Sequence, residues 1–253
     1  MVVYDFISKN LMRAYLNWSG GKDSALCLYK AKEQGLIIEA LLTSVNKFHD
    51  RISMHGVRRS LLIQQAASLQ LPLYTIELPE QPGMNEYEQE MSRTCSLLKK
   101  EGFTHAVFGD IFLEDLKKYR ETQLAKENLQ GIFPIWKVDS NKLMTEFISR
   151  GFKAIIVCVN SAFLDQSFCG RMIDESFVND LPSNVDPCGE NGEYHSFVFD
   201  GPIFSKPIEF ESGEIIFKEY TSPKNPDDGC FASRPQSLTG FYFQDLLPAQ
   251  SLL

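Results

Sequence analysis

Nothing in the 253 residues approaches the ~20 consecutive apolar residues that a membrane-spanning helix needs. The first dozen residues also lack the basic start and small-residue cleavage site of a secretion signal. Paired cysteines are missing. Cys27, Cys95, Cys158, Cys169, Cys188 and Cys230 include no C-x-x-C, which argues against a zinc ribbon or a thioredoxin-type redox site. Basic charge is in short supply, with 25 Lys and Arg against 33 Asp and Glu and a net charge of −8. Phosphate neutralisation supplies most non-specific affinity for nucleic acid, so this balance argues against such a partner. The two basic pairs, Arg58-Arg59 and Lys117-Lys118, are too short for a nucleic-acid track and read as solvated helix faces. What remains is a cytoplasmic globular chain with free thiols, and neither repeats nor low-complexity tracts interrupt it.

Runs of buried-strand character alternate with helical spacing through the first two thirds. Arg13–Trp18, Ile37–Ser44, Leu73–Ile76, Ala106–Phe108 and Ala154–Val159 read as strands. Helices are expected from Ser24 to about Gln34, from Val57 to about Leu69, over Glu86–Lys100 and Leu113–Asn128, and over Lys142–Ser149. This rhythm predicts an α/β fold, with a five-stranded parallel sheet and helices on both faces. Ligands of such sheets bind beyond the carboxyl ends of the strands. After about Asn160 a helix is expected near Arg171–Asn179, then a turn-rich stretch. Short strands follow at His195–Phe199, Pro207–Phe210, Glu214–Tyr220 and Gly240–Phe243, with a loop at Thr221–Gln236. The expected organisation is an extension over 1–11, a nucleotide-binding domain over 12–160 and a small α+β substrate domain over 161–253. Met12 opens the first strand naturally, so deletion of Met1–Leu11 is expected to spare the fold.

The sharpest local signal is Ser19-Gly20-Gly21-Lys22-Asp23-Ser24, set between a strand and a helix. Glycines permit a tight turn and close backbone approach. The following helix start offers unpaired N–H groups and a positive dipole end, which together suit phosphate. Ser19 and Ser24 can donate hydroxyl bonds, Lys22 adds a positive charge, and Asp23 can assist Mg2+. The spacing is too short for a Walker A loop, and the pattern is not G-x-G-x-x-G. It matches the PP-loop of ATP pyrophosphatases, S-G-G-x-D-S, which implies attack at the alpha phosphorus of ATP.

A second block runs from Asp186 to Pro202 and places Glu190, Glu193, His195 and Asp200 around a Gly-rich turn into a strand. Carboxylates and a histidine there can bind an amine, orient ammonia or move protons. A structural turn with solvated carboxylates is the competing reading.

Taken together, the blocks resemble the diphthine–ammonia ligase family of ATP pyrophosphatases, within the adenine-nucleotide alpha-hydrolase superfamily. The resemblance is carried by Ser19–Ser24, Ser53–Arg58, Phe108–Ile111, Tyr119–Glu121, Phe133–Trp136, Gly170-Arg171 and Gly189–Pro202, and runs from about Met12 to about Tyr220. It implies ATP cleavage to AMP and pyrophosphate, adenylation of a carboxylate and its amidation by ammonia. Asp50-Arg-Ile-Ser-Met-His55 stands where archaeal and eukaryotic members carry Asp-Ser-x-Met-x-His, and with Phe108–Leu116 it resembles a bacterial branch. The identity of the acceptor is therefore open. A tRNA-modifying enzyme and a non-catalytic ATP sensor are the alternatives.

The expected roles follow. Ser19, Gly20, Gly21, Lys22 and Ser24 hold phosphates, with Lys22 and Asp23 also catalytic. Ser44 and Asn46 border the adenosine. Gly109 and Asp110 lie at a strand's carboxyl end, Asp110 being a metal or ribose ligand or a helix cap. Arg120 steadies charge on the alpha phosphate, or pairs with Glu121 on a helix surface. Glu190, Glu193 and His195 form the acceptor or ammonia site. Trp136 packs, and Cys188 is an exposed-loop thiol. Aromatic strands in the C-terminal part are compatible with a homodimer.

Overall fold

The computed structural model describes residues 12–80, 83–221 and 238–249. The expected extension at 1–11, Cys230 and the expected loop beyond Thr221 lie outside the described residues.

Five parallel strands form the first sheet: β1 (Ala14–Asn17), β2 (Ile38–Asn46), β4 (Leu73–Leu78), β5 (His105–Val107) and β6 (Gln130–Ile132). They lie in the order β4–β2–β1–β5–β6, and a two-residue antiparallel strand, β3 (Arg51–Ile52), is added to the end of β2. The crossovers contain α1 (Lys22–Glu33), α2 (Arg59–Leu69), α3 (Met84–Lys100) and α4 (Glu114–Lys126). The period-two alternation of β1 explains why helices cover both faces. Ala14, Leu16 and Trp18 point into one hydrophobic cluster, and Tyr15 points into the other with Ala40, Leu42, Ile76 and Leu98. Each fully buried aliphatic side chain here contributes roughly 1.5–3 kcal/mol of burial.

The chain continues through α5 (Ser140–Ser149) into a second, antiparallel sheet. Its strands are β7 (Lys153–Asn160), β8 (Tyr194–Asp200), β9 (Phe210–Thr221) and β10 (Leu238–Pro248), in the order β8–β7–β10–β9. The expectation that Ala154–Val159 is the fifth parallel strand is corrected. That segment is β7, inside the second sheet, and the fifth parallel strand is the short β6. Local patterning shows a buried strand but not its pairing partner, and three residues containing Gly131 carry too little periodicity to be seen. The helix expected at Arg171–Asn179 is reduced to α6 (Glu175–Asp180), whose first turn is capped by Asp174 on the Phe177 amide. Of the two short strands expected between Pro207 and Tyr220, Pro207–Glu209 lies outside any strand, and the second is extended into the single β9 from Phe210 to Thr221.

The sheets share a core. Leu16, Leu28 and Leu61 belong to the same cluster as Ile155, Val157 and Phe197. β8 thereby runs past the carboxyl end of β1, where the glycine loop lies. No helix among the described residues is long and apolar enough to cross a membrane.

Candidate active site

The loop Ser19–Ser24 leaves β1 and enters α1. Gly20 takes φ +80°, a region that side chains rarely adopt, and a Cβ there would lie 2.9 Å from Gln65 Oε1. A Cβ on Gly21 would lie 2.9 Å from His55 Cε1 and 3.1 Å from the Ser196 carbonyl. From below, Gly109 at the end of β5 presses on the first turn of α1, where a Cβ would meet the Asp23 carbonyl at 2.9 Å. The glycines are thus fixed by close approach on three sides.

β8 is stitched directly to this loop. The Val198 amide donates to the Gly20 carbonyl at 2.9 Å, and the Lys22 amide donates to Ser196 Oγ at 3.1 Å. Gln65, fully buried on α2, reinforces the join. Its Oε1 accepts from Trp18 Nε1 at 2.9 Å, while its Nε2 donates to the carbonyls of Gly20 at 3.0 Å and Val198 at 2.6 Å. The indole can only donate and the carbonyls can only accept, so the amide has one workable orientation.

Lys22 is only 3% exposed. Its Nζ donates to Asp23 Oδ2 at 2.8 Å and to the Cys188 carbonyl, and it lies 5.0 Å from the Tyr194 ring centroid. Burial works most strongly against the ammonium, but Asp23, Tyr194 and Cys188 together outweigh it and hold the Lys22 pKa above its ordinary value. Burial also pushes the Asp23 carboxyl up, with Lys22 opposing.

Glu190 accepts from the Ile111 amide at 2.8 Å. Burial, with the charges of Asp23 and Asp110, pushes its pKa up to about 7 against the pull of that bond. Asp110 and Arg120 form a two-pronged ion pair at 2.6 and 3.2 Å, and the guanidinium lies 4.5 Å from the Phe108 ring centroid. Arg120 therefore faces the site through Asp110 rather than pairing with Glu121, which contacts Lys117 at 3.9 Å.

These groups line one cavity of about 240 Å3, together with Asn17, Ser19, Gly21, Ser24, His55, Gly109, Gly189, Tyr194, His195 and Ser196. His55 and His195 stack with ring centroids 4.6 Å apart and planes at 28°. Burial lowers both pKa values, that of His55 to about 4 and that of His195 well below its ordinary value. A shallower depression of about 520 Å3 lies over α5, but it gathers none of these groups.

Other expected site residues lie elsewhere. Glu193, expected at the acceptor, is 1% exposed and is not part of the cavity lining. Its carboxylate accepts from the amides of Asp186 and Asn191 and from Asn191 Nδ2, bracing the turn that presents Glu190. Asn46 Oδ1 accepts from the amides of Phe48 and His49, and its Nδ2 donates to the Glu80 carbonyl at 3.2 Å. Neither Asn46 nor Ser44 lines the cavity. Cys188 is corrected from an exposed thiol to a buried one, 1% exposed, its Sγ donating to the Ser140 carbonyl and its pKa raised by burial. Trp136 packs, its ring 4.6 Å from Lys117 Nζ. Arg58 is held by Asp245 of β10 at 2.7 Å. Sequence reasoning assigned no role to Asn17, His55, Gln65, Tyr194 or Ser196. A signal existed for Gln65, which occupies the apolar face of α2 between Leu61, Leu62 and Leu69 and so announces a buried polar network.

The family model of the diphthamide synthase N-terminal domain matches residues 12–128, and that of the C-terminal domain matches residues 139–223. The chain is 28% identical over 227 residues to the diphthine–ammonia ligase of Bos taurus, covering 81% of this chain and 85% of the relative. It is 27% identical over 227 residues to that of Homo sapiens, with the same coverage, and 26% identical over 219 residues to that of Danio rerio, covering 78% and 86%. The glycine loop falls in the first matched domain and the Glu190–Ser196 wall in the second, so both halves of the cavity lie within the match, and the chain belongs to the diphthine–ammonia ligase family.

Proposed function

We propose that this protein is an ATP-dependent amide-forming ligase that cleaves ATP to AMP and pyrophosphate, adenylates a carboxylate and passes the acyl group to ammonia. The observation that carries this reading is the single cavity in which a phosphate-binding loop meets an acid–base wall built from a different sheet. Lys22, the loop amides and the hydroxyls of Ser19 and Ser24 hold the pyrophosphate end. Arg120, held by Asp110, adds positive charge beside them, where charge develops as the alpha phosphorus is attacked. Glu190 titrates near neutrality and takes a proton as the amine is acylated.

The donor set fits Mg2+ only as a companion of the nucleotide. Asp23 keeps 31% side-chain exposure, and no cluster of three or more His, Cys, Asp or Glu among the described residues can hold a metal alone. Asp23 would share the ion with ATP phosphates, where Mg2+ supplies charge neutralisation.

The relatives are named for diphthine and ammonia, and a carboxylate of that kind is the acceptor class we assign here. The five described cysteines are free and buried, which supports a reducing cytoplasm and speaks against sulfur transfer to tRNA. β9 is the outer strand of its sheet among the described residues and exposes Ile216, Phe217 and Tyr220, which supports a homodimer across this edge. Product analysis with Mg2+, ammonium and a diphthine-bearing protein tests the chemistry. AMP with pyrophosphate and a new amide is expected; ADP with phosphate would refute attack at the alpha phosphorus.

A further inference from the structure

The stacked histidines combine three features that general packing does not require. First, His55 Nδ1 lies 3.1 Å from the Ser196 carbonyl, which can only accept, so Nδ1 carries the proton. A neutral ring protonated at Nδ1 has a bare lone pair at Nε2. Second, His55 Nε2 has no hydrogen-bond partner among the described residues, and it is not sealed from the cavity. Third, the ring lies against Gly21, so whatever Nε2 holds sits beside the loop that grips the departing end of ATP.

Burial keeps the ring neutral, and the nearby Lys22 ammonium disfavours a second positive charge. The other charged groups around the cavity are Asp23, the Asp110–Arg120 pair and Glu190. Two of these carboxylates are engaged by cations, and Glu190 spends one oxygen on Ile111. The cavity therefore offers two neutral imidazoles, of which only His55 has its Nδ1 proton fixed by the Ser196 carbonyl and so a defined acceptor at Nε2, and one carboxylate able to take a proton near neutral pH.

We propose that His55 Nε2, backed by the stacked His195 ring, is the seat for ammonia in its neutral, nucleophilic form. This rests on the ligase reading above. Ammonia donates one N–H to Nε2 and keeps its lone pair free. That pair forms the C–N bond to the activated carboxyl carbon, the C–O bond to the adenylate breaks, and its electrons leave with AMP. The surplus N–H proton passes to the Glu190 carboxylate. Protonation of His55 would abolish the seat, because Nε2 would then donate.

The test is nitrogen NMR of the full chain labelled at histidine, with MgATP, at pH 8.5 and at pH 7. His49→Gln and His105→Gln variants remove the two rings outside the cavity, and His195→Gln then separates the His195 signals from those of His55. The expected result is a neutral His55 protonated at Nδ1, whose Nε2 resonance shifts with ammonium chloride but not with equal sodium chloride. The shift should follow free ammonia, so at equal total ammonium it should be larger at pH 8.5. A ring protonated at Nε2, an imidazolium at pH 7, or an Nε2 indifferent to ammonium would each overturn the proposal. Failure of the ligase reading is separate. It would show as no AMP and pyrophosphate from the wild-type protein with acceptor, whatever the His55 spectrum.

Discussion

Replacing Gln65 by Met keeps the side-chain volume of α2 and removes its hydrogen bonds. Three groups lose a partner: Trp18 Nε1, the Gly20 carbonyl and the Val198 carbonyl. Gly20 keeps its bond from the Val198 amide, so two buried groups are left without the partner Gln65 supplied. Each such orphan costs about 1–3 kcal/mol, so a loss of about 3 kcal/mol is expected. For a chain of this size that lowers Tm by roughly 6–12 °C. Gln65→Glu separates the donor from the acceptor function. It can still accept from Trp18, but its carboxylate would face two carbonyls, which raises its folded pKa above the unfolded value. Its stability contribution is therefore fully present below the unfolded pKa and is lost as pH rises through the folded one. Unfolding followed from pH 5 to pH 8 should show the Glu variant losing ground to wild type as pH rises, and the Met variant keeping a constant deficit. Calorimetry adds a functional arm: affinity for pyrophosphate should fall by about tenfold in the Met variant, while adenosine binding is retained, because the amide bonds the loop and not the nucleoside. A Met variant with wild-type Tm and wild-type pyrophosphate affinity would refute the reasoning.

Glu190→Gln should flatten a pH–rate profile that otherwise rises through about pH 7, since the carboxylate is the competent form and burial holds it near that value. The same raised pKa predicts that Glu190 loses stability for the ligand-free protein as pH climbs through about 7, so Glu190→Gln should unfold at a higher temperature than wild type at pH 8. Lys22→Met should weaken ATP binding roughly 10–150-fold, the range of a charge-assisted hydrogen bond, in calorimetry on a protein that remains folded. Gly109→Ala should cost about 1–3 kcal/mol in urea unfolding, because its Cβ would crowd the Asp23 carbonyl at 2.9 Å.

The strand–helix rhythm of the first sheet and the glycine loop were legible because both are local. Apolar periodicity marks the buried faces, and Gly20-Gly21 can be read from its neighbours. β7 was not, because a fully buried strand looks the same whether its partners are parallel or antiparallel, and its partners β8 and β10 come later in the chain. The candidate site was half visible for the same reason. Lys22 and Asp23 announce themselves within the loop, and Glu190 and His195 within a Gly-rich turn. Glu193 belongs to the same turn, yet only the fold shows its carboxylate folded back onto the amides of Asp186 and Asn191. Cys188 read as exposed because turns usually are, but the Lys22 ammonium is seated on the Cys188 carbonyl and its Sγ is turned onto the Ser140 carbonyl at the start of α5, leaving it buried.

The stitching of β8 to the glycine loop has a consequence for how ATP use is coupled to the acceptor. The Gly20 carbonyl and the Lys22 amide lie within the glycine loop and at the same time form its seam with β8. Any free energy that phosphate binding gains by adjusting those two peptides is also exerted on the strand carrying His195, and reciprocity requires that a ligand shifting β8 change the grip on phosphate by the same factor. If the loop grips ATP as proposed, engagement of the opposite wall completes the cradle, and ATP cleavage in the absence of an acceptor is disfavoured without a separate lid.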